Sequence, residues 1–496
     1  MLDLSRLSPE QRAVVLAPYG PLLIVAGPGS GKTMVLAARI AYLVIGQQMP
    51  PTSILALTFA SKAAGELRHR LVGLLGVQGG AVDVSTFHAL GLRIVRQWSE
   101  VLGWGPGAPT VYGPGEARTV LREVAESLGV DLEHHPLDEW RARVDGLRLR
   151  GNHMSQQPEP LQLVAEAYEE GLRRRGVVDF PAMLTLPLRL FSEHPHALRL
   201  CQDSYRVVLC DEFQDICAGQ YSLLRSLVAR HHHLIAVGDP MQTLYGWRGA
   251  NVRFLTAFQR DFPEARIASL HQNFRSTQRI VECATILGAS LALNEPCWTT
   301  NPVGEAIRLH VAADEQAEAA FVAAEIERLL AQRIVDRLDE VAILYRTNWQ
   351  ALPFAVVLQE RGLPYRRPPR SGVERDVVEL TPSTAEMPTG GDDEGDEHET
   401  EGVWLSTIHR AKGGEWRVVF VVGLEEGLLP HARAITNQSG ENASIDEEQR
   451  IAYVAVTRAR ERLYLTYCRT RRRGDRVEIR EPSRFLRGLP LRRRAA

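Results

Sequence analysis

Ala26-Gly27-Pro28-Gly29-Ser30-Gly31-Lys32-Thr33 stands between a short apolar run, Leu22 to Ala26, and a stretch from Met34 to Ile45 whose apolar residues recur at helical spacing. A strand that passes into a helix through a Gly-rich turn forms a cradle for phosphates. Small residues let successive backbone N–H groups curl around the anion, and the helix N-terminus adds its dipole. In that reading Gly27, Gly29, Ser30 and Gly31 line the cradle, Lys32 reaches the β- and γ-phosphates of a nucleotide, and Thr33 gives its hydroxyl to Mg²⁺. Ala26 occupies the first position, where the generic pattern has glycine.

Outward from this loop the chain reads as α/β. Ile54 to Thr58 repeats the strand pattern ahead of a helix from Lys62 to Leu75, and Arg206 to Asp211 and Leu234 to Gly238 have the continuous apolar character of central parallel strands. The strand Val207 to Cys210 delivers Asp211 and Glu212 to its polar end. Two adjacent acids there are costly to bury unpaired; a magnesium ion accounts for Asp211, and a water attacking the γ-phosphate accounts for Glu212 as its orienting group or base.

The region 89–200 is rich in helical patterns, with Leu161 to Arg174 strongly amphipathic, and is expected to be a helical insertion in a first domain made of 1–88 and 201–279. A second α/β pattern, 280–367 and 403–480, has strand candidates at Ile307 to Val311, Val341 to Tyr345, Val403 to Thr407, Val418 to Val422 and Leu463 to Tyr467. Two doubly wound domains leave a cleft, with ligands expected at the carboxyl ends of the strands. The segment 368–402 breaks the pattern with Pro, Gly and a run of acids from Asp392 to Glu401, and is expected to be a flexible linker. An acidic strand that mimics DNA and competes for a basic groove is the other reading. Residues 481–496 are expected to form a basic tail. The arginines at 469, 471–473 and 492–494 are open to two readings, contact with nucleic acid or a partner, and a solvated surface.

Composition narrows the function classes. The 496 residues are 45% apolar and 24% charged, which excludes wholesale disorder. A formal charge of −2 excludes a uniformly basic surface, so any nucleic-acid path is a local groove. Six cysteines without a CxxC pair argue against a zinc ribbon, an iron–sulfur site or a disulfide framework and fit a reducing cytoplasm. No apolar stretch approaches the roughly 20 residues of a membrane helix. His231-His232-His233 reads as a surface turn between a helix and a strand.

The motifs taken in order carry a resemblance. Leu7-Ser8-Pro9-Glu10-Gln11, the phosphate loop, LTFASKAA from Leu57, STFH from Ser85, DEFQD from Asp211, VGDPMQTLYGWRGA from Val237, QNFRST from Gln272, LYRTN from Leu344, LSTIHRAKGGEW from Leu405 and YVAVTRA from Tyr453 resemble the motif series of superfamily 1A DNA helicases of the UvrD/Rep/PcrA type. The resemblance spans residues 7 to about 467 and implies two RecA-like motor domains of the P-loop NTPase type that use ATP and Mg²⁺ on single-stranded DNA and single-strand/duplex junctions. It further implies 3′ to 5′ translocation, work in DNA repair, recombination or replication restart with repair or replication proteins as partners, and a cytoplasmic, nucleoid-associated protein without a membrane partner. A non-unwinding module that binds single strands or remodels nucleoprotein is the alternative.

By the same resemblance Gln11 reads adenine, Phe274 stacks on it and Glu415 contacts ribose. Gln242 links the γ-phosphate to DNA, and Arg275 and Arg458 reach across the cleft, where two planar cations can stabilise charge on the transferred phosphoryl group. Thr58, Phe59, Ser61, Thr86 and His88 from the first domain resemble strand contacts, as do Arg346, Asn348, His409 and Lys412 from the second; for His88 and His409 a satisfied structural histidine is the lesser alternative. Tyr245, Trp247 and Arg248 form an aromatic-basic cluster suited to stacking on unpaired bases, against a core role for the tryptophan. Three departures stand out: Met34 where the family places arginine, Gly414 where leucine is common, and Pro240 where an acid is frequent. The mobile helical subdomain called 2B, which interrupts the second domain of typical members, is replaced by the segment 368–402.

Deletion of residues 383–401 is expected to leave folding and translocation intact. If the acids compete with DNA phosphates, the deletion also tightens DNA binding, most at low salt where charge is least screened. Affinity across a salt series separates a passive linker from a competing one.

Overall fold

The protein is described by a computed structural model over residues 3–104, 109–150, 159–244, 253–291, 296–367, 401–436, 444–473 and 476–493. The first sheet is built from β1 (Leu22–Ala26), β2 (Ile54–Thr58) and β3 (Asp83–Thr86), and, beyond the short pair β4 (Thr110–Val111) and β5 (Val177–Val178), from β6 (Val207–Cys210), β7 (Leu234–Gly238) and β8 (Arg266–Leu270). Its order is β3-β2-β6-β7-β1-β8, all parallel. Alternate residues serve opposite faces, as period-2 strands require. Leu23, Leu55, Leu57 and Val208 enter one apolar core, and Leu22, Ile24, Ile54 and Leu209 enter the other.

The second sheet contains β9 (Ile307–Ala312), β10 (Val341–Tyr345), β11 (Tyr365–Arg366), β12 (Val403–Thr407), β13 (Trp416–Val421) and β14 (Ala459–Cys468). After the antiparallel hairpin β15 (Thr470–Arg473) and β16 (Arg476–Ile479), β17 (Leu491–Arg493) returns to it. The order is β11-β12-β10-β13-β14-β9-β17, again parallel throughout. Leu344 and Val421 face a core beneath helix Ile445–Val456, and Ile343 and Phe420 face the core under helices Glu315–Ala331 and Ala351–Glu360. No helix among the described residues is long and apolar enough to cross a membrane.

Most strands expected from apolar runs lie within two residues of their observed ends. The edge strands β3 and β8 escape the reading because neither is a continuous apolar run: Asp83-Val84-Ser85-Thr86 mixes polar residues, and β8 opens on the exposed Arg266 and Ile267. The helical insertion is shorter than 89–200. Helices Phe87–Gln97 and Ala182–Glu193 pack into the first domain's core through Leu90, Ile94, Leu184 and Leu190, while the insertion's own core runs from Val120 to Val177. A buried knot fastens the two: Arg148 holds Asp179 with bonds of 2.7 and 3.0 Å, Tyr168 Oη donates to the same carboxylate at 2.9 Å, and Asp179 accepts the Ala182 N–H at 3.0 Å.

Three expectations are corrected in the C-terminal part and beside β7. Residues 481–496 are not simply a tail, because β17 pairs with β9, Leu491 opposite Ile307, and Phe485 is buried. Arg471 is not a surface cation. It is 1% exposed, bonded to Glu425 at 2.6 Å and Glu318 at 2.9 Å, both fully buried. His233 is likewise buried, unlike its neighbours His231 and His232, and burial pushes its pKa down to about 4. The acidic segment expected over 368–402 falls almost wholly outside the described residues.

Arg471→Ala strands two buried carboxylates, so it should lower stability by about 3–5 kcal/mol. A denaturant midpoint equal to that of the wild type would show that the triad contributes nothing.

Candidate nucleotide site and its link to the second domain

The phosphate loop leaves the carboxyl end of β1 and enters helix Lys32–Ala41. Gly29 adopts the left-handed φ of +67°, and a side chain there would collide with Arg275 and Asn273, which press on the loop from the chain beyond β8. Asn273 Nδ2 donates to Pro28 O at 2.7 Å and the Phe274 N–H to Gly29 O at 2.8 Å. Phe274 itself is 46% exposed beside the loop, as a ring that covers a base must be. Gln11 is spoken for at both ends of its amide: Oε1 accepts the Ser8 N–H at 3.0 Å and Nε2 donates to Ser30 O at 2.9 Å. Met34 packs against the first domain's core near Gly31.

Lys32 Nζ donates to Ala26 O at 3.0 Å and lies 3.5 Å from Asp239 Oδ2. Asp239 directly follows β7 and is fully buried; it accepts from Gln242 Nε2 at 2.7 Å and from the Met241 N–H at 3.0 Å. Gln242 Oε1 in turn accepts from Arg458 Nη2 at 3.3 Å. Arg458 is 2% exposed and spends its other donors on Val454 O and Gly414 O. Burial, and then the neighbouring Arg275, push its pKa down to about 9, which leaves it a cation at neutral pH. A continuous polar chain therefore runs from the phosphate loop through Asp239 and Gln242 into the second domain.

The motif series of the sequence includes Asp239 within Val237 to Ala250 but gives it no role. The signal was present, since an acid directly after a five-residue buried strand repeats the Asp211 pattern.

The paired acids after β6 are separated by the backbone. Glu212 takes the left-handed φ of +51°, so its side chain diverges from that of Asp211, whose Oδ1 accepts the Glu212 N–H at 2.9 Å. Non-glycine residues rarely hold this conformation outside sites that require it. Burial, then the charge of Glu212, pushes Asp211 up to about 7. For Glu212 burial pulls the same way, but Lys412 and Lys32 outweigh it and hold the carboxylate below its ordinary range. Gln214 Nε2 donates to Glu212 and its Oε1 accepts the Asp239 N–H, which joins the acids to the chain above.

Lys412, expected on the DNA path, is placed in this site instead. Its Nζ is paired with Asp215, donates to Gln242 O at 2.6 Å and lies 3.9 Å from Glu212. Arg275 bonds Glu415 at 2.5 Å and Thr457 O at 3.1 Å, so the ribose and phosphoryl candidates are partners of each other here. Gly414 is explained by Trp416, whose indole fills the space a larger residue would need.

The expected strand contacts follow the carboxyl ends of neighbouring strands. Thr58 ends β2 buried, its hydroxyl donating to Ala60 O at 3.1 Å, while Phe59 is half-buried and Ser61 exposed. Thr86 caps the next helix through the Ala89 N–H at 3.2 Å, and His88 meets Phe180 edge-on at 5.6 Å. In the second domain Asn348 is exposed and His409 half-buried, but Arg346 is committed to the buried Glu448, 2.7 Å at the closest approach. Tyr245, Trp247 and Arg248 lie outside the described residues. The second domain departs from the carboxyl-end rule on its nucleotide side: Glu415 and Arg458 precede β13 and β14, where the Trp416 N–H donates to Arg458 O at 3.0 Å.

Residues 7–263 match the family model of the UvrD/REP helicase N-terminal domain, and residues 268–367 with 386–470 match that of the UvrD-like helicase C-terminal domain. The chain belongs to the UvrD/REP helicase family. Among its relatives, the ATP-dependent DNA helicase PcrA of Staphylococcus aureus (strain COL) is 28% identical over 639 aligned positions, covering 98% of this chain and 86% of that protein. PcrA of Staphylococcus epidermidis is 28% identical over 633 positions, covering 97% and 86%. The two parallel sheets are those of a UvrD-type helicase with paired RecA-like domains.

Glu212→Gln keeps the size of the side chain and its contact with Gln214 but removes a base. Nucleotide affinity is expected to persist while single-turnover cleavage falls about 10²- to 10⁴-fold. Lost affinity with cleavage unchanged in the bound fraction would reverse the division of labour between Asp211 and Glu212.

Proposed function

We propose that this helicase hydrolyses ATP to move along single-stranded DNA from 3′ to 5′ and opens duplex ahead of it, in DNA repair, recombination or replication restart. The observation that carries the reading is the polar chain Lys32–Asp239–Gln242–Arg458, because it joins the phosphate loop to the second domain through buried groups with fixed partners. A change at the γ-phosphate end alters the balance of charges that holds Arg458, and with it the position of the second domain. In this reading the motor halves are 1–88 with 201–279 and 280–367 with 403–480.

Phosphates in the loop would meet Lys32 and the backbone N–H groups from Gly29 to Thr33. Thr33 and Asp211 are the residues that would hold Mg²⁺, and the donor set fits: Asp211 is a buried carboxylate pushed up to about 7, which a cation would relieve. The bound ion would neutralise phosphate charge. Glu212, held ionised by Lys412 and Lys32, takes the proton of the attacking water. Arg275 and Arg458 supply charge to the transferred group once Arg275 exchanges Glu415 for phosphate.

One observation favours the second reading, a module that binds single strands or remodels nucleoprotein without unwinding. The alignment with PcrA runs over 639 positions against a chain of 496 residues, so that relative carries segments with no counterpart here, consistent with 368–402 standing in place of 2B.

Translocation and unwinding are expected on 3′-tailed DNA and absent on 5′-tailed DNA, both measured under one ATP condition. Displacement of a bound protein from single strands without duplex opening would favour the remodelling reading, preference for the 5′ tail would reverse the polarity, and ATP turnover unmoved by single-stranded DNA would remove the motor.

A further inference from the structure

We infer that Trp349 is a base-stacking platform for single-stranded DNA on the second domain, an inference that rests on the DNA-motor reading above. Trp349 sits in the 3-10 turn Asn348–Gln350, directly beyond the carboxyl end of β10. The turn is held rigidly. Gln350 is fully buried and its Oε1 accepts both the backbone N–H and the hydroxyl of Thr347, each at 2.9 Å, while Trp349 remains 42% exposed. The anchored turn thus presents an indole face to water at a fixed place, a surface on which a planar apolar group can stack.

Position identifies that occupant. β12 runs beside β10 with Tyr345 opposite Thr407, and the Ile408 N–H donates to Tyr345 O at 2.9 Å, so the turn carrying Asn348 and Trp349 lies alongside the segment carrying His409. Both segments follow carboxyl ends of parallel strands, where open α/β sheets place their ligands. The charges of this region are otherwise engaged: Arg346 makes three bonds to Glu448, and Lys412 is paired with Asp215. A grip based on an aromatic face needs neither cation. Stacking also tolerates every base, which suits a motor that must pass over any sequence.

Leu352 and Val356, at helical spacing from Trp349 on the following helix, are exposed to similar extents, 43% and 42%. An apolar stripe of this kind could alternatively seat a protein, and the test separates the two. Binding of the full chain to an oligothymidine is measured by anisotropy at low and high salt, with folding of each variant checked by circular dichroism and thermal melting. Trp349→Ala is expected to weaken binding about five- to hundredfold by the same factor at each salt concentration, because stacking is not an ionic contact. Trp349→Phe keeps most of the affinity, whereas Trp349→Leu behaves as Ala. Unchanged affinity in folded Trp349→Ala overturns the inference, and so does full binding by Trp349→Leu, which would mark an apolar docking surface. A wild-type chain that fails to bind the oligonucleotide overturns the DNA-motor reading itself, before any variant is compared.

Discussion

The buried chain from Lys32 through Asp239 and Gln242 to Arg458 is the constraint on which the arrangement of the two domains depends. Each link is a hydrogen bond or ion pair whose members lie mostly out of water, so each must keep its partner or carry a desolvation cost. Arg458 shows the balance. Burial and Arg275 disfavour its charge, while Glu212, Asp239 and Glu415 favour it. Such a balance is set by charges from both domains, so it is sensitive to any charge added beside either of them.

Around this chain the two sheets present opposite strand ends to the candidate nucleotide site. The first offers the carboxyl ends of β1, β6 and β7, as the general rule for open α/β sheets states. The second offers the amino ends of β13 and β14, leaving the carboxyl ends of β10 and β12 for the other side of the cleft. Lys412 belongs to the loop that joins these two edges, between β12 and β13. Its pairing with Asp215 and Gln242 O explains why its motif position is read with the DNA contacts while its ammonium group sits beside Glu212. A residue on that loop can serve either side, and only the fold says which.

The same division governs the charged clusters remote from the cleft. Arg471 and its neighbours read as a basic run because local sequence shows charge and not burial. Glu318 lies 153 residues away and Glu425 lies 46 away, and the sheet brings all three into one dry site. Arg148 and Asp179 do the same for the helical insertion, fixing it to the helix Ala182–Glu193, whose first N–H Asp179 accepts. Buried pairs of this kind are poor sources of stability against apolar replacements, but loss of one partner is severe.

What the sequence alone determined was local and periodic: the strand-to-helix turn at Gly27 to Thr33, the acids delivered by β6, and the central strands β1, β2, β7, β10 and β12 at their observed ends. Those features are legible because a fully buried parallel strand must be a continuous apolar run and a phosphate cradle must be made of small residues. Tertiary structure decided the rest. It placed the polar edge strand β3, returned β17 to the second sheet, turned Lys412 toward Asp215, tied Arg346 to Glu448, and left Trp349 exposed on a rigid turn. For the two strands and the two cations the deciding partner is distant along the chain, and for Trp349 exposure is set by what packs nearby; the free energy of a charge or an aromatic ring depends on what surrounds it in space, which no local pattern records.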